Sequence, residues 1–302
     1  MVTTLVSVDI LPEILVKFAL LAYSVRRARD KRRLIVGTAQ LVEPEAVIAG
    51  AGAVLIDCRF SLADPQQGRA LYRQGHIPGA YYLDMDRDLA GPARARGGRH
   101  PLPDAAAFAA TLARCGVGPD TAVIAYDDSR LAFAARLWWL MRSLGYRAPR
   151  LLNGGYRAYL AAGGRGATAV PAPQACGTVQ ARTFTGHCDI LGLRRAQAAG
   201  ALLVDSREER RYLGLEEPID PVAGHIPGAI NRPWCGVTTE RGAVLDSAGL
   251  RAHWGDALQA GQIVVYCGSG VTACVNLFSL ALLGRDDAIL YAGSWSDWCS
   301  YL

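Results

Sequence analysis

GHIPGA, at residues 75–80, is repeated letter for letter at residues 224–229. An apolar run that ends in Asp-x-Arg stands before each copy, VLIDCR at 54–59 and LLVDSR at 202–207. Motifs that recur in the same order along a chain are the sequence signature of a duplicated structural unit. The chain is therefore predicted to be a tandem repeat of two similar halves.

Two further pairs of segments extend the repeat and indicate its fold. AVIAYD at 122–127 corresponds to IVVYC at 263–267, and the closing segment LNGGY at 152–156 corresponds to YAGSW at 291–295. Short β-branched runs alternate with helical patterns such as AFAARLWWLMRSL at 132–144. This alternation predicts an α/β fold of two tandem domains, each a mostly parallel sheet with helices on both faces.

Length and composition are consistent with two folded domains. The chain has 302 residues, of which 51% are hydrophobic, so each half can bury a sizeable core and disorder is not expected. We predict an N-terminal extension at 1–33, a first domain at 34–165, a linker at 166–187 and a second domain at 188–302.

Charge and cysteine usage narrow the classes of partner. The net charge of +5 is mild, and the basic cluster at 26–33 is interpreted as a solvated helix end, so no nucleic acid is expected to bind. Charges interrupt the apolar first 25 residues, so neither a membrane span nor a signal peptide is predicted. The eight cysteines form no CxxC pair and no zinc-ligand spacing with the five histidines. We therefore expect no metal, no cofactor and a cytoplasmic location.

Cys267 is the most informative single residue. It ends the apolar run Ile263–Tyr266 and is followed by a glycine-bearing loop and the helix-like stretch TACVNLFSLALL at 272–283. A buried strand that feeds a helix in this way points backbone N–H groups and the positive end of the helix dipole at one spot. A cysteine there is expected to be shifted towards the reactive thiolate. The alternative for a lone cysteine is a buried core thiol beside a tight turn.

Asp127 takes the position of Cys267 in the first half. The residues after it, DSRL at 128–131, include no glycine that would let the backbone wrap around an anion. The first half is therefore predicted to be non-catalytic and to serve as scaffold and cleft wall.

These motifs resemble the two-domain sulfurtransferases of the rhodanese superfamily over about residues 34–302. The Asp-x-Arg strand ends, both HIPGA stretches, the cysteine loop and the closing Gly-Ser-Trp at 293–295 carry the resemblance. The loop CGSGVT at 267–272 is similar to that of the 3-mercaptopyruvate sulfurtransferases. The thiosulfate branch typically has two basic residues directly after the cysteine, where this chain has Gly268 and Ser269.

The resemblance implies an activity and its partners. Cys267 would take a sulfur atom from a small-molecule donor, 3-mercaptopyruvate, become a persulfide and release pyruvate. A thiol, cyanide or a thioredoxin-like protein would then accept the sulfur. Thiosulfate is the alternative donor, and a non-enzymatic persulfide relay is a further alternative. A Cys-loop phosphatase is not expected, because its Cys-x5-Arg motif would need an arginine where Ala273 stands.

The resemblance also implies roles for residues around Cys267. Ser269 is expected to act with Cys267 in catalysis by steering a proton or holding the donor carbonyl. The anion nest is expected to consist of the N–H groups of Gly268, Gly270, Val271 and Thr272, with Thr272 also capping the helix. The anionic end of the donor is expected to be held by Arg207 and Arg211, with Arg69 facing them from the opposite wall.

Other polar and aromatic residues of the motifs are given structural roles. Asp57 and Asp205 are expected to hold loops by hydrogen bonds, as are His76 and His225, with His76 a minor candidate for proton transfer. The tryptophans are expected to pack in the core and between the domains, and those singled out are Trp138, Trp139, Trp295 and Trp298.

Overall fold

The described residues of the first half form five strands and five helices. The computed structural model describes residues 41–174 and 182–302, so the extension predicted at 1–33 lies outside the described residues. The strands are β1 (Leu41–Val42), β2 (Val54–Asp57), β3 (Tyr81–Tyr82), β4 (Val123–Tyr126) and β5 (Arg150–Leu152). The helices are α1 (Pro44–Ile48), α2 (Gln67–Gln74), α3 (Ala105–Arg114), α4 (Ala134–Ser143) and α5 (Gly155–Ala161).

The second half repeats this order. Its strands are β6 (His187–Cys188), β7 (Leu202–Asp205), β8 (Ile230–Asn231), β9 (Ile263–Tyr266) and β10 (Ile289–Tyr291). Its helices are α6 (Ile190–Ala198), α7 (Glu209–Tyr212), α8 (Ser247–Trp254), α9 (Ala273–Leu282) and α10 (Ser294–Trp298). Short 3₁₀ helices occupy Trp234–Val237, Gly255–Gln259 and Cys299–Tyr301.

Each half contains one five-stranded sheet in which every pair of neighbours is parallel. The strand order is β1-β5-β4-β2-β3 in the first sheet and β6-β10-β9-β7-β8 in the second, so corresponding strands occupy corresponding places. The registers also match, because Asp57 pairs with Tyr126 and Asp205 pairs with Tyr266. The predicted α/β architecture is confirmed. Within each sheet the carboxyl ends of the parallel strands lie along one edge, which is where ligands of such sheets bind.

Both faces of the sheets are buried, as a parallel sheet requires. Val123 and Ala125 of β4 pack with α3 and α4 on one face, whereas Ile124 and Tyr126 pack with α5 on the other. The central strands therefore read as continuous apolar runs rather than as an alternating pattern. Within residues 41–174 and 182–302, no helix combines the length and apolarity that crossing a membrane demands.

The Asp-x-Arg motifs hold the strand ends in both halves. The guanidinium of Arg59 donates to the carboxylate of Asp57 at 2.6 Å and to the carbonyl that opens the first GHIPGA motif. Arg207 and Asp205 form the same pair at 2.6 Å, with the corresponding carbonyl of the second motif. The loop-holding role predicted for the two aspartates is confirmed.

The two motif histidines are also structural. His76 Nδ1 lies 2.7 Å from the carbonyl oxygen of Tyr72, and its ring stacks on the Tyr72 ring with centroids 3.9 Å apart. His225 repeats the arrangement with Tyr212 at 2.8 Å and 4.0 Å. Each histidine therefore ties the turn of its motif to the preceding helix.

The halves share one continuous hydrophobic core. Helix α4 packs against α9 across the interface, where Trp138 meets Phe278 edge to face with ring centroids 5.2 Å apart. The described parts of the predicted linker run along the first half, since Ala167 pairs with His76 and Thr185 pairs with Ser143. Helix α9, which follows the loop after Cys267, is thus packed against the first half.

A second contact brings first-half residues onto the second half. We call residues 97–101 the crossing segment. The Gly97 N–H donates to the Asp297 carboxylate at 2.7 Å, and the Arg99 N–H donates to Ser296 Oγ at 3.1 Å. Gly98 has φ +80°, and a Cβ there would collide with the Gly293 carbonyl. Only glycine allows this approach, which places the next two side chains beside Cys267.

Candidate active site

Cys267 lies directly after β9, at the edge where the central strands end. The residue is 1% exposed, and its Sγ accepts a hydrogen bond from the Gly270 N–H at 3.1 Å. Gly270 has φ +78°, and a Cβ there would collide with the Ala292 carbonyl, so the loop closes around the sulfur only with glycine at this position. Of the N–H donors predicted for the anion nest, Gly270 is the one for which the described residues provide a hydrogen bond to the sulfur.

The closing segment of the second half supports the cysteine loop from behind. Ser294 Oγ accepts from the Cys267 N–H at 3.1 Å and donates to the Tyr291 carbonyl at 3.0 Å. The Trp295 N–H donates to the Cys267 carbonyl at 3.0 Å. Ser294 has φ +57°, an unusual value for a residue other than glycine. Both the N–H and the carbonyl of Cys267 are thus held by hydrogen bonds.

The corresponding loop of the first half corrects one prediction. It does wrap around an anion, because the Asp127 carboxylate accepts four backbone N–H groups at 2.7–3.0 Å, those of Ser129, Leu131, Phe133 and Ala134. The backbone turns without glycine because Arg130 and Leu131 take φ values of +57° and +70°. The first half therefore holds its own carboxylate in the position where the second half holds a sulfur atom.

Ser269 is connected to two residues of the first half. Its Oγ lies 2.8 Å from His100 Nδ1, and His100 Nε2 lies 3.3 Å from Asp86 Oδ1. In the tautomer with its hydrogen on Nε2, which faces the acceptor-only carboxylate, Nδ1 is free to accept from the Ser269 hydroxyl. Burial, then Arg136 and then Arg99, lower the pKa of His100 to about 4. The resting imidazole is therefore neutral and able to accept the serine proton.

Arg136 supports the loop from inside the protein. It is fully buried on α4, and Nη1 donates to the Gly270 carbonyl at 3.0 Å. Its other hydrogen bonds go to the neutral carbonyls of Leu89, His100 and Pro101. Burial lowers the pKa of Arg136, and the nearby thiols of Cys274 and Cys267 counteract this effect. Arg136 therefore places a positive charge with neutral hydrogen-bond acceptors next to the cysteine loop.

Cys274 does not provide a second reactive thiol. It is buried on α9, its Sγ lies 3.4 Å from the Gly270 carbonyl, and burial raises its pKa to about 12. A protonated thiol is a poor nucleophile. The nucleophilic chemistry therefore rests on Cys267.

Two guanidinium groups lie over Gly268. A Cβ on this residue would be 3.1 Å from Arg99 Nη2 and 3.4 Å from Arg211 Nη1. Arg99 comes from the crossing segment and Arg211 from α7, so the two cations reach the loop from opposite halves. A cavity of about 190 Å³ opens beside them, lined in part by Arg94, Arg99, Asp220 and Ser296.

The three arginines expected to hold the donor have different surroundings in the structure. Arg211 lies at the loop, as expected. Arg207 is 1% exposed, and its guanidinium is held by Asp205, by Glu217 at 3.1 Å and by a backbone carbonyl. In this position it fixes Glu217, which binds Arg211 at 2.7 Å.

Three other expectations need correction. Arg69 lies over the Tyr82 ring at 5.0 Å within the first half, and the opposite wall of the cleft is supplied by Arg99. His76 is fully buried between backbone carbonyls, and the histidine next to the loop is His100. Thr272 precedes α9, but its side chain makes no capping hydrogen bond, because its φ and ψ of −69° and −18° are already helical.

Asp86, Arg99, His100 and Arg136 were not anticipated from the sequence. The available signal was GGRHPLP at 97–103, in which paired glycines allow a close approach and deliver an arginine and a histidine. Among residues 41–174 and 182–302, no cluster of three histidine, cysteine or acidic side chains could hold a metal ion. The chemistry of the described groups is that of a nucleophilic sulfur with a proton relay and two anion-binding cations.

Comparisons with known proteins agree with this arrangement. SseB of Mycobacterium tuberculosis, provisionally named a thiosulfate sulfurtransferase, is 41% identical over 257 residues, 83% of this chain and 89% of its own. A Pseudomonas aeruginosa protein provisionally named a 3-mercaptopyruvate sulfurtransferase is also 41% identical, over 273 residues, 86% of this chain and 91% of its own.

Solved structures give the same result. The 3-mercaptopyruvate sulfurtransferase from Leishmania major superposes with a TM-score of 0.78 at 31% identity, covering 88% of this chain and 75% of that one. SseA from Escherichia coli, a 3-mercaptopyruvate sulfotransferase by its description, gives a TM-score of 0.74 at 28% identity over 86% and 100%. The rhodanese-like domain profile matches residues 43–162 and 192–301. The chain belongs to the rhodanese family of sulfurtransferases and contains two rhodanese-like domains.

Proposed function

We propose that this sulfurtransferase uses 3-mercaptopyruvate as its sulfur donor and Cys267 as the persulfide carrier. The observation that carries the proposal is the relay from Ser269 through His100 to Asp86. Only one of the two candidate donors has a proton to move, so a built proton relay favours that donor.

The chemistry of the two donors explains this preference. The Cys267 thiolate attacks the sulfur of 3-mercaptopyruvate, a sulfur–sulfur bond forms, and the carbon–sulfur bond breaks with its electron pair leaving on the pyruvate enolate. The thiol proton must leave the transferred sulfur, and C3 of the enolate must gain a proton to give pyruvate. Thiosulfate transfers its outer sulfur and leaves as sulfite, with no proton transfer at all.

The relay provides a path for that proton. Ser269 Oγ can accept the donor's thiol proton while its own proton passes to His100 Nδ1, 2.8 Å away. Asp86 stabilises the imidazolium that forms. Because the pKa of His100 is about 4, the imidazolium returns its proton readily, and C3 of the enolate is the site that needs one.

The remaining groups hold the two anions of the reaction. The Gly270 N–H and the buried Arg136 stabilise the thiolate and the persulfide that replaces it. Arg211 and Arg99, over Gly268, are placed to bind the donor carboxylate. The anion nest formed by Gly268, Gly270, Val271 and Thr272 remains part of this proposal.

Thiosulfate is the second candidate donor, and one observation favours it. The basic residues that its loop would supply after the cysteine are missing from the sequence, but Arg99 and Arg211 place two cations over the same position. The acceptor is proposed to be a thiol, cyanide or a thioredoxin-like protein, in the cytoplasm. The seven cysteines of the described residues are all free thiols, which supports a reducing compartment.

Paired kinetics of Ser269→Ala and His100→Asn with both donors test the proposal. With 3-mercaptopyruvate, kcat/KM should fall roughly 10²–10⁴-fold, the range typical of a lost general acid–base group. With thiosulfate, kcat/KM should change less than about tenfold, because no proton moves. Cys267→Ser should abolish both activities. Equal losses with the two donors in the relay variants would refute the assignment.

A further inference from the structure

The two cations over the catalytic loop are paired with buried carboxylates. Asp220 is 2% exposed in its side chain and bridges the two arginines, with Oδ1 on Arg99 Nη1 and Oδ2 3.1 Å from Arg211 Nη2. Glu217 holds Arg211 from the other side at 2.7 Å. Both acids belong to the loop between α7 and the second GHIPGA motif.

The charges within this network of ion pairs sum to zero. The three arginines of the network are Arg99, Arg207 and Arg211, and the three carboxylates are Asp205, Glu217 and Asp220. Asp205 and Glu217 also hold Arg207 in place, whereas the ion pairs of the Asp220 carboxylate are with the two arginines that face Gly268. Asp220 is therefore the carboxylate whose charge acts where the donor binds.

We propose that Asp220 is a specificity-determining residue, which cancels one positive charge at the loop mouth and so favours a singly charged donor over a doubly charged one. The inference rests on the proposed function, in which the donor anion binds at Arg99 and Arg211. A donor carboxylate shares or takes over the hydrogen bonds that Asp220 makes in the resting protein. A dianion gains twice as much as a monoanion from each uncompensated positive charge, and Asp220 removes that advantage.

Two substitutions should shift donor preference in opposite directions. Asp220→Asn keeps the shape and one oxygen acceptor but leaves the mouth with one excess positive charge. Arg99→Gln removes a cation and leaves one excess negative charge. At the contact distances involved, each unit of donor charge should change binding roughly tenfold. The ratio of kcat/KM for thiosulfate to that for 3-mercaptopyruvate should therefore rise about tenfold in Asp220→Asn and fall about tenfold in Arg99→Gln.

Glu216→Gln is the matched control. Glu216 lies on the same loop and pairs with the exposed Arg210 at 2.6 Å, away from Gly268. This variant removes the same charge from the same segment and should leave the donor ratio unchanged. Raising the salt concentration should shrink the shift in Asp220→Asn, because salt screens partly exposed charges.

The outcomes separate a charge effect from a structural one. If Asp220 only clamps the halves together, Asp220→Asn should lower kcat/KM for both donors by the same factor, and that result would overturn the proposal. A donor ratio within twofold of wild type in both variants would overturn it as well. Failure of the wild type to use 3-mercaptopyruvate would instead refute the proposed function. In that case the role of Asp220 is tested with thiosulfate alone, whose KM should fall in Asp220→Asn and rise in Arg99→Gln.

Discussion

Two features of Ser294 can be tested separately: its unusual backbone conformation, which should affect stability, and its hydrogen bond to Cys267, which should affect activity. Its backbone has φ +57°, which costs a residue with a Cβ about 1–2 kcal/mol. Its Oγ accepts from the buried N–H of Cys267 at 3.1 Å, and leaving such a donor without a partner costs about 1–3 kcal/mol. At the corresponding corner of the first half, Gly155 takes φ +69°.

Two substitutions separate these contributions. Ser294→Ala loses the hydrogen bond and keeps the strained backbone, so it should lose the full 1–3 kcal/mol or so of the unpaired N–H. Ser294→Gly loses the same hydrogen bond but relieves the strain, partly offset by the greater freedom of glycine in the unfolded chain. The glycine variant should therefore be about 1 kcal/mol more stable than the alanine variant, or roughly 2–4 °C higher in Tm.

Thermal unfolding and sulfur-transfer kinetics of the two variants provide the measurement. Both variants free the N–H of Cys267 and should lower kcat/KM by similar factors with either donor. An alanine variant as stable as the glycine variant would refute the strain argument. Wild-type kcat/KM in both variants would refute the claim that Ser294 positions the nucleophile.

Two more predictions follow from His100 and Asp127. Since the pKa of His100 is lowered to about 4, kcat/KM with 3-mercaptopyruvate should show no histidine inflection near pH 6.5 in a pH–rate profile and should decline only as the pH approaches 4. The unfolded chain binds the His100 proton below about pH 6.5 and the folded protein only below about 4. The free energy of unfolding should therefore fall as the pH falls through this window, and His100→Asn should remove that part of the slope. Asp127→Asn replaces a carboxylate that accepts four N–H groups, so urea unfolding should show a loss of about 2–4 kcal/mol with kcat/KM per folded molecule retained. Equal stability of this variant and wild type would contradict the account of the first-half loop.

The fold could be predicted from the sequence because its signals are local. The strand predicted at Ile263–Tyr266 is observed with those bounds, and the helix predicted at 272–283 is observed at Ala273–Leu282. The position of Cys267 in an anion-binding loop could be predicted for the same reason, because the strand, the glycines and the helix are contiguous in the sequence. The partners of Ser269 could not be predicted from the sequence, because His100 lies 169 positions away. It reaches the loop because Gly97 and Gly98 dock on the second half.

Comparison of the two copies of the repeat distinguishes a structural arginine from one at the catalytic loop, which the Asp-x-Arg motif alone does not. Arg207 corresponds to Arg59, which makes the same contacts with the motif aspartate and the motif carbonyl in the half that has Asp127 in place of Cys267. A residue required equally in both halves is more simply explained by the fold than by the substrate. Arg211 has no such counterpart, because Leu71 precedes Tyr72 where Arg211 precedes Tyr212. The difference between the copies, rather than the motif they share, indicates which arginine lies at the catalytic loop.

The comparison of the two copies also shows what the first half contributes, although Asp127 stands where the second half has Cys267. Its loop retains the geometry for holding an anion, but there the backbone N–H groups bind the carboxylate of Asp127, which belongs to the chain itself. In the second half, Cys267 leaves the sulfur as the held group, and a sulfur can gain and lose a second sulfur while its hydrogen-bond donors stay in place. What the second half does not supply comes from the first: Arg136 from α4, and Arg99 and His100 from the crossing segment. The two copies thus use one loop geometry in two ways: the first half binds its own Asp127 carboxylate, and the second half holds the Cys267 sulfur beside side chains that the first half supplies.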